Sequence, residues 1–344
     1  MIDRVVVVGR GSAGSRHFNL IRELLPNAEV KYLIHSKSES SVDPSSKDLI
    51  RIQEVLTFMP QIAIVASPST SHIEIAKELA EAGIHILIEK PISASLSGVA
   101  ELIAYCLDRN IVLQVGYNLR YSDSLQFFKQ HLSLEEIGEI HSVRCEVGQN
   151  LESWRPNRDY RESVSAKKDL GGGVLLELSH ELDYLRWIFG DVEWVRATLC
   201  KLSKLDIDVE DTAHINLGFT KSRFKQKMIA NLNLDFVRQD YTRTCLVIGA
   251  NSSIRWDGLT DRVEIYDNAK STWRELYSKK ASKDETYKRE LQDFLTSVGS
   301  GNKPQVTGED GLRVLEIIEA ARQSSQTGAQ VYVSANPVQE RHSK

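Results

Sequence analysis

Through the first third of the chain, short apolar runs alternate with segments of helical periodicity. The runs cover residues 5–8, 30–34, 62–66, 84–89 and 111–116. A helix-like stretch follows the first run from about Gly14 to Leu25, and residues 73–80 and 99–105 place apolar side chains at helical spacing. Gly83 and Asn110 stand where those two helices should end. Short apolar strands separated by helices predict a parallel sheet covered on both faces. The expectation over residues 1–118 is therefore a doubly wound α/β domain.

After about Asn118 the pattern changes. Residues 138–148, 192–202, 213–219, 225–234, 242–248 and 262–267 read as longer strands with partial polar/apolar alternation. Turns such as Thr220-Lys221-Ser222 and Gly249-Ala250-Asn251 join consecutive strands and point to a large, mostly antiparallel sheet. One strong helix is predicted from about Gly173 to Phe189, and two more at 285–300 and 310–327, the last able to pack back on the first domain. The second domain, α+β in class, spans 119–334, with a loose polar tail at 335–344.

Two domains also suit the length of 344 residues, because single cores rarely grow past about 250 residues. A net charge of -4 argues against nucleic acid or an anionic membrane as partner. No apolar run approaches the roughly 20 residues that cross a bilayer, and residues 1–4 lack the features of a signal peptide. Cys106, Cys145, Cys200 and Cys245 are widely scattered, so no metal site is expected. Buried free thiols in the cytoplasm are the expectation.

Chemistry enters with Gly9-Arg10-Gly11-Ser12-Ala13-Gly14, which follows the first strand and opens the first helix. Glycines there let the backbone turn tightly and approach a pyrophosphate, which sits against the free N–H groups of the helix start. The context, a strand before and a helix after, is what gives the pattern weight. At the end of the second strand an acid would bind ribose hydroxyls and repel a 2′-phosphate. The chain has His35-Ser36-Lys37-Ser38 instead, with no acid until Glu39, so Ser36 and Lys37 favour NADP(H) modestly over NAD(H). A solvated loop in which Lys37 touches nothing remains the alternative.

Residues 9–17, then Ser67-Pro68-Ser69-Thr70-Ser71-His72, then Glu89-Lys90-Pro91, and then Gly171-Gly172-Gly173 leading to Glu177, His180 and Asp183, together resemble the Gfo/Idh/MocA oxidoreductases, the family of glucose–fructose oxidoreductase and inositol dehydrogenase. The resemblance covers nearly the whole chain. It implies a Rossmann domain with Ser67, Pro68, His72 and Glu89 in its dinucleotide site, and a second domain whose large sheet is often buried in a homodimer or homotetramer. It also implies that His180 is the family histidine and Asp183 the acid after it. Many members carry an aspartate four residues before that histidine, whereas this chain has Leu176 there and Glu177 three before.

Lys90 has a case from its position alone. It lies at the carboxyl end of a strand, where α/β sheets bind ligands, and a lysine there can hold a substrate hydroxyl and relay its proton. Glu177, His180 and Asp183 recur every three residues, so one helix would present them on one face. Asn118 and Arg120, just after the last strand of the first domain, are placed either to line the cleft near the nicotinamide or to anchor the domain crossing. Trp154, Arg155, Tyr160 and Arg161 lie on a basic, aromatic loop suited to a sugar face with a carboxylate or phosphate, or simply solvated. That loop resembles a branch associated with nonulosonic acid and surface-polysaccharide biosynthesis. The activity implied is an NAD(P)-dependent dehydrogenase acting on a secondary alcohol or ketone of a sugar, sugar acid or nucleotide-sugar. Two other classes stay open: a glycosidase that uses tightly held NAD in transient oxidation, and a non-catalytic dinucleotide-binding regulator.

Overall fold

In the computed structural model, which describes residues 2–34, 48–49, 51–132, 136–154, 158–219, 223–282 and 284–333, every apolar run of the first third becomes a strand. The order is β1 (Arg4–Val8), α1 (Ser12–Leu24), β2 (Glu29–Leu33), α2 (Ile52–Phe58), β3 (Ile62–Val65), α3 (His72–Glu81), β4 (His85–Glu89), α4 (Val99–Asp108) and β5 (Leu113–Gly116). All four strand pairings are parallel, and the spatial order is β2-β1-β3-β4-β5. Connection order reverses between β1 and β3, and sheets of this order bind ligands outside the carboxyl ends of the strands at that reversal.

The chain divides into two compact units, the first of which comprises Met1–Ser122, Lys168–Gly172 and Ala281–Leu315. The late segment brings α9 (Glu285–Ser300) onto the parallel sheet. Leu291 and Phe294 of this helix are fully buried in one cluster with Val5, Val7, Ile21 and Ile62. Burial on this scale contributes about 1.5–3 kcal/mol for each such side chain.

The second unit comprises Asp123–Lys167, Gly173–Lys280 and Glu316–Lys344. It opens with α5 (Asp123–His131), β6 (Ile140–Gly148) and the short α6 (Leu151–Trp154), and continues with α7 (Val174–Glu177) and α8 (His180–Phe189). Seven strands follow: β7 (Trp194–Cys200), β8 (Thr212–Phe219), β9 (Met228–Asp235), β10 (Thr242–Gly249), β11 (Ser253–Asp257), β12 (Arg262–Asp267) and β13 (Thr272–Ser278). Helix α10 (Gly308–Thr327) belongs to the first unit as far as Leu315 and to the second beyond it, and β14 (Val331–Tyr332) closes the order. The sheet of nine strands runs β13-β12-β11-β10-β6-β9-β8-β7-β14, and only β6 and β9 pair in parallel. Alternation is clear in the neighbouring β8 and β9: in β8, Ala213, Ile215 and Leu217 are buried, while His214 is exposed and Asn216 half-buried. The turn at 220–222 and the tail at 335–344 lie outside the described residues.

One expectation needs correction. The helix predicted from about Gly173 to Phe189 is two helices, separated by Leu178 and Ser179. The Ser179 amide donates to the Leu176 carbonyl at 3.4 Å, three residues back rather than four, before the ladder resumes with the Asp183 amide on the Ser179 carbonyl at 3.1 Å. The apolar periodicity runs straight through this break, so pattern alone could not reveal it. Strands β11 and β13 were also absent from the sequence pattern; β13 is largely exposed at the edge of the sheet, where no apolar run is required.

Candidate active site

The glycine pattern forms the turn its context predicts. Gly9 has φ +94°, and a Cβ there would meet the Ala66 carbonyl oxygen at 2.6 Å. A Cβ at Gly14 would lie 2.0 Å from the Gly9 carbonyl oxygen, whereas one at Gly11 meets nothing within 4 Å. Gly9 and Gly14 therefore close the turn, and Gly11 faces open space. Ser12 is exposed and Ala13 half-buried at the first turn of α1. Nearby, the Ala66 amide donates to the Val8 carbonyl at 2.9 Å, which joins this turn to the loop after β3 across the order reversal. Open space over helix-start N–H groups fits a dinucleotide pyrophosphate, which Gly11, Ser12 and Ala13 would hold.

Lys90 follows the last residue of β4, half-buried, and the Lys90–Pro91 bond is cis. Behind it stands a buried pair. Glu89 accepts the Lys90 amide on Oε2 at 3.1 Å, and its Oε1 lies 2.7 Å from Nε2 of His17 on α1, which is fully buried. Burial works against the charged carboxylate, but the hydrogen bond and charge of His17 and the charge of Lys90 outweigh it and lower the Glu89 pKa. His17 was part of the motif quoted from the sequence, yet its role was not read. Its signal is the spacing from Gly14, which puts it on the inner face of α1 facing the β4 end.

The loop after β3 carries Ser67 and Pro68, both half-buried. His72 is 1% exposed and engaged at both ring nitrogens, with Nε2 2.8 Å from the Ser67 carbonyl and Nδ1 3.0 Å from the Pro91 carbonyl. Burial lowers its pKa against the pull of those carbonyls. His72 thus joins the Ser67 loop to the Lys90–Pro91 turn from inside, rather than offering a surface to a ligand. Arg120 needs a similar correction. It is 2% exposed, pairs with Asp310 at 3.2 Å and donates to the Gln305 carbonyl at 3.4 Å, so it anchors the chain after β5 and has no face left for substrate. Asn118 is 5% exposed and donates to Thr286 Oγ1 at 2.8 Å.

In the second unit, Gly173 (φ +104°) turns the chain into α7, where a Cβ would meet the Glu210 carboxylate at 2.4 Å. Glu210 caps that helix by accepting the Leu175 amide at 3.1 Å, and burial raises its pKa. Glu177 ends α7 and accepts from Ser165 Oγ at 3.0 Å, while His180 opens α8. The helix break removes the argument that these residues share one helical face; only His180 and Asp183 belong to the same helix, both buried. Between them, buried Glu181 pairs with Arg243 of β10 at 2.9 Å and ties the start of α8 to the sheet. Trp154 packs edge-on against Phe236, and the Tyr160 hydroxyl accepts the Asp206 amide at 3.1 Å. Arg161, exposed, is closed on Asp159, whose carboxyl it holds below the usual range. Ser36, Lys37 and Arg155 lie outside the described residues.

No helix among the described residues is long and apolar enough to cross a membrane. An uncharacterized Bacillus subtilis (strain 168) oxidoreductase, YrbE, is 28% identical over 95% of this chain and 95% of its own. The myo-inositol 2-dehydrogenase of Thermotoga maritima is 24% identical over 93% of this chain and 96% of its own. The WlbA dehydrogenase of Bordetella pertussis, solved with NADH and UDP-GlcNAcA, superposes with a TM-score of 0.79 at 20% identity, covering 98% of this chain and 100% of that one. The model for the NAD-binding Rossmann fold of the Gfo/Idh/MocA oxidoreductases matches residues 4–117, and the model for their C-terminal α/β domain matches 129–333. With both domains matched in order, the chain belongs to the Gfo/Idh/MocA oxidoreductase family.

Proposed function

We propose that this chain is an NAD(P)-dependent dehydrogenase acting on a secondary alcohol, or the matching ketone, of a sugar, sugar acid or nucleotide-sugar. The observation that carries this reading is Lys90 at the carboxyl end of β4, backed by the His17–Glu89 pair, in the same sheet as the glycine turn. Bound nicotinamide supplies the hydride acceptor or donor. The protein supplies position and proton transfer: as hydride leaves carbon the Lys90 amine accepts the proton of the reacting hydroxyl, in the reverse direction its ammonium returns that proton to the oxygen, and His180 with Asp183 shares in moving it. Glu177, held by Ser165, takes a supporting part. The names of the relatives, an inositol dehydrogenase and a dehydrogenase solved with an acidic nucleotide-sugar, support this substrate class. Trp154, Tyr160 and Arg161, with Arg155, are the proposed sugar-side contacts, and the cytoplasm is the proposed compartment.

Ser36 and Lys37 tilt the cofactor choice modestly toward NADP(H). A thermal-melt titration with NADH and NADPH tests the reading, since a ligand that binds only the native state raises the melt with the logarithm of its concentration. Both should stabilise, NADPH the more, and a screen of polyols, sugars and sugar acids with the better one should show oxidation. No shift with either dinucleotide overturns the proposal.

We also propose that copies of this chain associate as a homodimer or homotetramer. Arg196, Thr198, His214, Ile229, Asn231 and Asn233 stand exposed on one face of β7, β8 and β9. His214 Nδ1 lies 2.7 Å from Asn233 Oδ1 across this mostly polar face. Light scattering should return a mass of two or four chains, and charge placed at Asn231 and Thr198 should lower it. A monomer at micromolar concentration overturns this part.

A further inference from the structure

The sequence places no acid directly after β2, yet the fold returns one there. Leu49 forms a parallel bridge with Leu33, its amide donates to the Tyr32 carbonyl at 2.7 Å, and its carbonyl accepts the Ile34 amide at 2.9 Å. Asp48, one residue earlier, is thereby set beside the carboxyl end of β2. That is where an acid reads the ribose hydroxyls of a dinucleotide. Arg10, the second residue of the glycine turn, reaches the same spot from β1. Its Nη1 lies 3.2 Å from Asp48 Oδ2, and its guanidinium sits over the Tyr32 ring at 5.3 Å. The Gly9 amide donates to the Leu33 carbonyl at 2.9 Å, which holds the turn and the strand end in register.

We infer that Arg10 and Asp48 together read the adenosine ribose and set the preference between NAD(H) and NADP(H). The pair is easily parted, because Arg10 is 53% exposed and pairs with one partner in water are weak. Asp48 accepts the 2′- and 3′-hydroxyls of NAD(H) while Arg10 stays over Tyr32. Arg10 turns to the 2′-phosphate of NADP(H), a charge-assisted contact suited to a planar guanidinium, against the repulsion of Asp48. Each residue therefore favours one dinucleotide, and Tyr32 holds Arg10 close enough to serve either way. This inference rests on the dinucleotide reading proposed above.

The test is direct titration of the full-length parent, Asp48→Asn and Arg10→Gln with NADH and with NADPH, reading the ratio of the two dissociation constants. Asp48→Asn should move the ratio about tenfold toward NADPH, and Arg10→Gln about tenfold toward NADH, the change expected for one hydrogen bond to a charged group. Opposite shifts support the pair as the reader. If the parent binds both dinucleotides and neither variant moves the ratio more than twofold, or both move it the same way, the inference fails and the dinucleotide reading stands. If the parent binds neither, both fall together.

Discussion

Lys90→Ala turns over about two to four orders of magnitude more slowly than the parent, the range that a positioned acid–base group contributes, while NADH and NADPH still raise its melting temperature. Both halves follow from where Lys90 lies. Its side chain begins beyond the last residue of β4, whereas the pyrophosphate cradle is the turn after β1, closed by Gly9 and Gly14. Truncation leaves the hydrogen bonds of Glu89 to His17 and to the backbone amide of residue 90 in place, because neither uses the Lys90 side chain. Lys90→Arg separates proton transfer from charge: guanidinium keeps the positive charge but does not give up its proton near neutrality. It should retain substrate binding better than alanine and recover little turnover. The assay uses whichever polyol or sugar the parent oxidises, with kcat and KM taken separately. Turnover within a few-fold of the parent in both variants would remove Lys90 from the chemistry.

Glu290→Gln should make the protein more stable than the parent above neutral pH, by a margin that grows as the pH rises. Glu290 lies on α9, fully buried, and neither carboxylate oxygen has a hydrogen-bond partner. Beside it, Gln114 donates from Nε2 to the Glu290 carbonyl at 3.1 Å and to the Tyr121 hydroxyl at 3.3 Å, while its own Oε1 accepts nothing. Tyr121 in turn donates to Asp293 at 2.7 Å. The cluster has spare acceptors and lacks a donor, and a proton on Glu290 supplies one. Burial, with the negative charges of Glu89 and Asp293, pushes its pKa well above the ordinary carboxyl value. The folded state therefore keeps a proton that the unfolded chain releases near its ordinary value of about 4.5. That contribution to stability is complete below the unfolded value and is lost as pH rises through the folded one, at up to about 1.4 kcal/mol per unit. Glutamine offers the same donor at every pH. Urea melts at pH 5, 6.5 and 8 should show a gain over the parent that grows with pH. A loss of stability that is the same at all three would show that Glu290 is ionised in the fold.

Most of the fold was readable because its cause is local. Residues 5–8 and 62–65 must be buried on both faces, so they are apolar throughout, and a strand that ends in Gly9-Arg10-Gly11 declares its turn. Lys90 was readable for the same reason, as a charged residue directly after an apolar run. What escaped the sequence depends on distant partners. Gln114 meets Glu290 across 176 positions, and nothing near either residue announces it. Asp48 returns to β2 through a bridge between Leu33 and Leu49, so counting forward from the strand could not find it. Arg120 reads as a ligand-binding arginine until Asp310 is seen beside it. The break at Leu178 and Ser179 escaped for a different reason: both short helices are buried on nearly every side, so apolar residues continue across the gap and mark no boundary.

The place of α9 in the first unit bears on how the protein is made. Translation delivers β1 to β5 early, but the side chains of Leu291 and Phe294 that complete their core leave the ribosome only after most of the second unit. At ordinary elongation rates the interval between Ser122 and Leu291 lasts roughly ten to thirty seconds. Throughout it, the apolar surface on which α9 will settle is waiting for a partner not yet synthesised. The final closure of the nucleotide-binding half is thus a long-range, late event in the life of each chain.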